Sequence, residues 1–291
     1  MEKSSTDGAA ANRLLLDNKS NFYREFYYRN PCVPIDFQSI TEALKYCPKI
    51  PSGPSPFEDE TLVYSNTGSV VLMPGVHRER IQICGEPWVD GQPLKSIVVR
   101  AAFPSIGAAL VHYERQSSQY PSTKNQPAIT VSTRIGDDLD QIETGISVKL
   151  SYLKILHSTP GADIWAGNTA VLVDGPRVQV LIDSCILQSD SGRGLVVTNQ
   201  AELQMTSSSI VDCAATGFYL GDWGSKARVS SCNIVRCGFG DLSLRRPTSD
   251  EERAAVDRIL NNFVASARNG QPIPRNHVDV VPPGHSGELS K

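Results

Sequence analysis

The sequence predicts an all-β protein, a right-handed parallel β-helix in which a single chain winds through stacked coils. Two observations lead to this prediction: strand-like segments that recur in a fixed order, and the constant period at which they recur. Three short segments of alternating apolar and polar residues recur in the same order between residues 146 and 244, with a period of 23–24 residues. A fixed period of this size indicates stacked units, and three strands with three turns in each unit are typical of one coil of a parallel β-helix.

The repeat contains three sets of predicted strands. The first set covers 146–150, 178–182, 201–205 and 225–229, the second covers 153–155, 185–187, 208–210 and 232–234, and the third covers 170–173, 194–197, 217–220 and 241–244. Earlier segments at 69–72, 79–83, 96–99, 108–111 and 128–131 fit less regular coils of the same kind. A parallel β-helix domain is therefore expected over residues 35–244.

The N-terminal end of the chain differs from the repeat. Residues 1–34 are polar at first and then rich in aromatic side chains, and they are predicted to form a loose segment. Helical spacing at 35–44 predicts a helix that caps the open end of the first coil. Its apolar face comprises Phe37, Ile40, Ala43 and Leu44.

Beyond the repeat, residues 245–270 are predicted to form an amphipathic helix that braces the solenoid or docks a partner. Ser249 and Glu252 have the spacing of a capping box, an apolar stripe follows them, and Gly270 marks the end. Residues 271–291 contain four prolines and are predicted to form an extended tail.

Composition limits the classes of function. The formal net charge is −3 and the isoelectric point is about 6.0, which favours neither nucleic acid nor an anionic membrane as a partner. No apolar run approaches the roughly 18 residues that span a bilayer. The first residues lack the basic start and apolar core of a secretion signal, so an intracellular protein, cytoplasmic or nuclear, is expected.

Seven cysteines are present, and none forms a CxxC pair. In a reducing compartment they are expected to be thiols, most of them buried as small apolar side chains. Cys185 and Cys232 hold the same position two coils apart, too far for a disulfide, whereas Cys213 and Cys237 are equivalent in adjacent coils and are expected to lie close together.

Period-2 alternation assigns the side chains to the inner and outer faces of the coils. The outward residues of the first strand set, which include Lys149, are predicted to be ordinary solvated surface. The outward row of the third set reads Thr130, Leu172, Val196, Tyr219 and Ser243. Three adjacent apolar side chains are unusual on open solvent, so either another part of the chain or a partner is expected to cover them.

Long turns flank this third strand set, at 113–127, 132–145 and 157–168. Long loops in a compact solenoid are where function is usually found. A groove walled by these loops is therefore expected over the third set. The candidate binding residues are Trp165, Leu172, Val196, Tyr219 and Trp223.

Two parts of the sequence resemble known proteins. The segments FQSITEAL at 37–44 and VVLMPGVHRE at 70–79 resemble the opening of pectin methylesterases, which belong to the pectin lyase-like β-helix superfamily. Residues 146–244 resemble the short repeats of carbohydrate-processing proteins and of the substrate-binding region of β-helix F-box proteins. The resemblance implies the fold, and it implies either carbohydrate chemistry or substrate recognition for a ubiquitin ligase, although residues 1–60 show no F-box.

The catalytic motifs of these relatives are missing. No segment resembles the Gln-Asp-Thr-Leu, Asp-Phe-Ile-Phe-Gly or Gly-Arg-Pro-Trp patterns of pectin methylesterases. Lyases and hydrolases of this fold need clustered carboxylates. Asp183 instead aligns with Thr206 and Ser230, and the acidic loop that contains Asp137, Asp138 and Asp140 is predicted to be solvated.

The sequence therefore favours a non-catalytic binding module that recognises a protein or a glycan through the loop-walled groove. The alternative is an intracellular carbohydrate-active enzyme, a lyase or an esterase, with degenerate motifs. In that case Asp163 and His157 are the candidates for proton transfer and Arg193 is the candidate for charge stabilisation. No cofactor, metal, nucleic acid or membrane is expected, and the oligomeric state stays open.

Overall fold

The computed structural model describes the solenoid and the residues next to it. The described residues are 31–46, 69–84, 96–114, 126–133, 145–159, 168–221, 225–238, 242–245, 249–251, 254 and 278–281. Several predicted features lie outside them: residues 1–30, most of the segment 245–270, most of the tail, and the side chains of Asp163, Trp165 and Trp223.

The chain forms twenty described strands and one described seven-residue helix, α1 (Ile40–Tyr46). The strands in chain order are β1 (Cys32–Val33), β2 (Ser69–Leu72), β3 (Gly75–His77), β4 (Ile81–Cys84), β5 (Ser96–Ala101), β6 (Ala109–Glu114), β7 (Ile129–Ser132), β8 (Ile146–Ser151), β9 (Leu153–Ser158), β10 (Thr169–Asp174), β11 (Val178–Asp183), β12 (Ile186–Ser189), β13 (Arg193–Thr198), β14 (Glu202–Thr206), β15 (Ser209–Val211), β16 (Phe218–Leu220), β17 (Lys226–Ser230), β18 (Asn233–Val235), β19 (Leu242–Arg245) and β20 (Val278–Val281).

The strands build three sheets in which every pair is parallel. Sheet I has the order β1-β2-β5-β8-β11-β14-β17, sheet II has the order β3-β6-β9-β12-β15-β18, and sheet III has the order β4-β7-β10-β13-β16-β19-β20. Successive strands from β2 to β19 move from sheet I to II to III, so that three strands make one coil. Six coils result, from coil 1 (β2–β4) to coil 6 (β17–β19), and the chain is an all-β parallel solenoid, as predicted.

The core lies between the three sheets and is built from in-register aliphatic rows. Neighbouring strands lie about 4.8 Å apart, so each inward side chain packs on its equivalent in the next coil. The central rows comprise Val99, Leu150, Ile182, Met205 and Val229 in sheet I, Val111, Ile155, Leu187, Ile210 and Ile234 in sheet II, and Val131, Val173, Val197 and Leu220 in sheet III. All of these side chains are buried, which confirms the inward assignment made from period-2 alternation.

The corner between sheets I and II is made by a single residue with left-handed backbone. Tyr152, Ser184, Ser207 and Ser231 occupy this position in coils 3 to 6, with φ of 59°, 53°, 48° and 53°. One left-handed residue between two extended strands turns the chain sharply, and polar side chains accept that conformation more readily than β-branched ones. The short repeat period depends on this compact corner.

The cap on coil 1 differs in extent from the sequence prediction. Helix α1 begins at Ile40, five residues later than expected, because 32–33 form β1 and a turn follows; Ile35 is exposed. The predicted apolar face is otherwise present. Ile40, Ala43 and Leu44 are buried against coil 1, and Phe37 packs half-buried against the same core.

A carboxylate from coil 1 holds the first turn of this helix. The oxygens of Glu79 accept hydrogen bonds from the backbone N–H groups of Ile40, at 2.6 Å, and Thr41, at 3.0 Å. The hydroxyl of Thr41 donates to the same carboxylate, and Ser39 Oγ accepts from the N–H of Glu42. A negative charge on unpaired N–H groups at a helix N-terminus stabilises the helix.

At the other end, Asp250, Glu251 and Ala254 have helical backbone, within the segment predicted to form the C-terminal helix. β20 adds a further parallel strand to β19 in sheet III. No helix in the described part of the chain has the length and apolar character needed to cross a membrane.

Candidate functional site

The predicted outward row on sheet III exists. Thr130, Leu172, Val196, Tyr219 and Ser243 are partners in successive strands from β7 to β19. Val196 is fully buried, Tyr219 is 2% exposed, and Leu172 packs half-buried against them. The sequence left open whether another part of the chain or a partner covers the apolar side chains of this row. For Val196 and Tyr219 the chain itself supplies the cover.

Arg193 is part of that cover. Its guanidinium carbon lies 4.8 Å from the centre of the Tyr219 ring, and the side chain is only 2% exposed. A guanidinium over an aromatic face is attracted by the ring quadrupole, and the attraction is stronger away from water. Burial lowers the pKa of Arg193. The side chain that was the candidate charge stabiliser therefore packs on Tyr219.

The glycines near Arg193 allow this close packing. A Cβ on Gly194 would lie 2.2 Å from Cγ2 of Ile210 and 2.7 Å from the carbonyl oxygen of Gly217. A Cβ on Gly192 would overlap the carbonyl of Asn168. Side chains do not fit at these two positions, so the backbones of coils 3, 4 and 5 approach each other closely here.

His157 lies in a strand and not in the long turn predicted at 157–168. It is the last inward position of β9 after Leu153 and Ile155, and its side chain is fully buried. Its Nδ1 lies 3.1 Å from Oγ of Ser189, and its Nε2 lies 3.3 Å from Oγ1 of Thr159. Burial lowers the pKa of His157 to about 4, so the imidazole is neutral at neutral pH.

A serine beside an imidazole is also the arrangement of a nucleophile and its base. The side chains of Ser189 and His157 are both fully buried, however, and a substrate has no access to them. Ser191 completes the group, because its Oγ accepts from the N–H of Thr159 at 2.6 Å and lies 3.4 Å from Nδ1 of His157. The group joins coil 3 to coil 4 through hydrogen bonds.

Two carboxylates near the end of the repeat have basic partners in the next coil. Glu202 pairs with Lys226 at 2.7 Å and Asp212 pairs with Arg236 at 2.6 Å, each across one coil boundary. Lysine and arginine hydrogen bonds lower the pKa of both acids. These pairs connect coil 5 to coil 6 along the outer surface.

No acid pair suited to lyase or glycosidase chemistry is formed by the described residues. Asp183 faces Thr206, and Thr206 faces Ser230, as predicted from the repeat. Within the same residues, no group of three or more His, Cys, Asp or Glu side chains could hold a metal ion. Asp163 and the acidic loop at 132–145 lie almost wholly outside the described residues.

The outer face of sheet I differs from the prediction. Lys149 was expected on solvated surface, yet it is 1% exposed. Its neighbours in the outward row, Val98 and Leu181, are also buried, and its Nζ lies 3.8 Å from Oδ2 of Asp183. The prediction was wrong for Lys149, which lies between two buried aliphatic neighbours. It holds for the other outward residues that it covered, since Ser147, Gln179, Glu202 and Gln204 are half-buried and Lys226 and Arg228 are exposed.

Sheet II carries two outward rows in which no side chain is buried. Its first outward row comprises Val76, Leu110, Lys154, Ile186, Ser209 and Asn233, and its second comprises His112, Leu156, Gln188, Val211 and Val235. Every one of these side chains is partly or largely exposed. We call these two rows the sheet II face; six of its eleven members are aliphatic.

Sequence reasoning missed this surface although a signal was present. In the second strand set Ile186 lies at an outward position beside inward Leu187, and Leu156, the residue after the segment 153–155, lies outward beside inward Ile155. The long loops beside the third strand set led instead to the prediction of a binding groove over that set. Strand alternation identified the outward positions in both sets, but it did not reveal which set lies open.

Comparisons of the chain with protein-family models, with curated proteins and with solved structures found no match.

Proposed function

We propose that the protein is a non-catalytic binding module, a right-handed β-helix of the pectin lyase-like kind, that recognises a protein partner through the sheet II face. The observation that supports this proposal is the openness of that face in all six coils. Six coils at about 4.8 Å give a surface roughly 25 Å long. Six aliphatic side chains, Val76 exposed and five partly exposed, on one surface of this length favour a partner over water alone.

The chemistry of the face favours a protein over a glycan as its ligand. Sugar rings commonly stack on aromatic side chains, and the two rows contain no Phe, Tyr or Trp. Their aliphatic side chains alternate with Lys154, His112 and Gln188, a mixture that suits a protein surface with an apolar centre and polar rim. The resemblance to the substrate-binding region of β-helix F-box proteins agrees with a recognition role.

The loop-walled groove over sheet III is the second candidate surface for the same function. Leu172 is half-buried, and the other predicted binding residues of this groove, Trp165 and Trp223, lie outside the described residues. Because Val196 and Tyr219 are covered within the chain, this groove has less apolar surface to offer than the sequence predicted. The enzyme alternative has less support still, since Glu202, Asp212 and Asp183 each lie against a Lys or Arg of a neighbouring coil.

A site-specific photo-crosslinker tests the proposal. The probe replaces Ile186 on sheet II, and in a matched protein it replaces Gln204, a half-buried outward residue of sheet I in the next coil. Each protein is irradiated in an extract of its source cells, and adducts are identified by mass spectrometry. We expect one saturable protein adduct at Ile186 that Leu156→Asp abolishes and Gln204→Asp leaves intact.

Two results would contradict the proposal. Equal adducts at both probe positions would show non-specific contact, and an adduct at Ile186 that survives Leu156→Asp would show that the face does not select its partner. Light scattering on the purified protein distinguishes a second copy of the chain from a different partner. A dimer that Leu156→Asp dissociates would identify the occupant as the chain itself and overturn recognition of another protein.

A further inference from the structure

Two thiols lie side by side where coil 5 meets coil 6. Val211 and Val235 are partners in β15 and β18, so Cys213 and Cys237, two residues further on in each coil, are also in register. The N–H of Gly238 donates to the carbonyl of Cys213 at 2.9 Å, which continues the pairing past the ends of the strands. Partner residues in adjacent parallel strands have Cα atoms about 4.8 Å apart, inside the range that a disulfide spans.

The two side chains point the same way. Each thiol donates to the carbonyl two residues earlier in its own coil, Cys213 to Val211 and Cys237 to Val235, both at 3.6 Å. The neighbouring Cys237 thiol and then burial raise the pKa of Cys213. A Cβ on Gly194 would lie 2.9 Å from the Cys213 sulfur, so close packing holds that sulfur beside its neighbour.

We propose that Cys213 and Cys237 form a reversible disulfide that joins coil 5 to coil 6 when a small-molecule disulfide is present. The more exposed Cys237 loses its proton and attacks one sulfur of oxidised glutathione, which releases one glutathione thiol. Cys213 then loses its proton, attacks the Cys237 sulfur and releases the second glutathione. Two electrons pass from the protein thiols to the glutathione disulfide, and reduced glutathione in excess reverses both exchanges.

Two other cysteines of the repeat, Cys185 and Cys232, provide an internal control. Cys185 and Cys232 are separated by the coil that contains Ser208, so their sulfurs are roughly 10 Å apart and cannot join without unfolding. Cys185 is fully buried, and burial raises its pKa to about 12. A disulfide that follows the native geometry therefore joins one pair and excludes the other.

Tryptic mapping tests the proposal on the intact chain. Trypsin places Cys213 in peptide 194–226, Cys232 in 229–236 and Cys237 in 237–245, so each possible bridge gives a distinct linked mass. The folded protein is incubated with oxidised glutathione, blocked with N-ethylmaleimide and digested. We expect the 194–226 to 237–245 product, its loss with dithiothreitol, and an unchanged far-ultraviolet circular dichroism spectrum.

Variants and denaturant complete the test. Cys232→Ser should keep the linked product and Cys237→Ser should lose it, while oxidation in 6 M urea should scatter bridges among all cysteines. Failure of the folded wild type to give the product would overturn the proposal. So would bridges to Cys185 or Cys232 at comparable yield under native conditions, or oxidation accompanied by loss of the β spectrum.

Discussion

Acidification should destabilise the solenoid through His157. The buried imidazole is neutral because burial lowers its pKa from the ordinary 6.5 to about 4. In the unfolded chain the same group binds a proton once the pH falls below about 6.5. The unfolded state therefore holds more protons between pH 6.5 and pH 4, and stability must fall as the pH is lowered through that window.

The size of the effect follows from the two pKa values. A difference between 6.5 and about 4 corresponds to a maximum loss of roughly 3 kcal/mol, reached below pH 4. Between pH 7.5 and pH 5 the loss is about 2 kcal/mol by the same relation. The stability that depends on neutral His157 is fully present above pH 6.5.

Urea unfolding at several pH values measures this loss when the wild type is compared with His157→Gln. Glutamine has a similar size, can hydrogen-bond to Ser189 or Thr159, and does not titrate. All other titrating groups are common to both proteins, so the difference between their pH profiles isolates His157. We expect the wild type to lose about 2 kcal/mol more than the variant between pH 7.5 and pH 5.

Parallel pH profiles would refute this reasoning. They would show that His157 titrates alike in the folded and unfolded states, and hence that the imidazole is not enclosed in the hydrogen-bonded group described above. Nuclear magnetic resonance of the imidazole gives an independent check. A His157 signal that titrates near pH 6.5 in the folded protein would refute the enclosure of the imidazole in the same way.

Two further predictions concern the cap and the close contact of coils. Glu79→Ala should lower the free energy of unfolding by about 1–2 kcal/mol, since two N–H groups of α1 lose their acceptor. Glu79→Gln should lower it less. Equal chemical unfolding curves for the wild type and both variants would contradict the capping role. Gly194→Ala should lower the free energy of unfolding by about 2 kcal/mol or more, because the new Cβ would overlap Ile210 and Cys213. A thermal unfolding midpoint equal to that of the wild type would show that the coils have room for a side chain there.

Much of the solenoid could be predicted from the sequence because it depends on local repetition. The alternation at 178–182 and 201–205 determines which side chains face inward, and the fixed period determines which residues become partners. The structure confirms both, including the register of Asp183 with Thr206 and Ser230. The inward position of His157 could have been read in the same way, since it continues the alternation of Leu153 and Ile155.

Which outward side chains are buried could not be predicted from the alternation. Lys149 and Tyr219 both point outward by alternation, yet both are buried, Tyr219 beneath Arg193. Leu156 and Ile186 also point outward and remain partly exposed. Alternation separates the two sides of a sheet, but whether the outer side meets protein or water depends on contacts between residues distant in sequence.

Hydroxyl-radical footprinting of Leu156 and Leu181 tests most directly the claim that sheet II is the open face. Both are outward leucines, on sheets II and I in adjacent coils, so their intrinsic reactivities match. Trypsin separates them into peptides 155–177 and 178–193, and oxidation is quantified by mass spectrometry. We expect Leu156 to be oxidised several times faster than Leu181, which is 3% exposed. Equal rates, or faster oxidation of Leu181, would contradict the assignment of sheet II as the open surface and remove the basis for the proposed binding face.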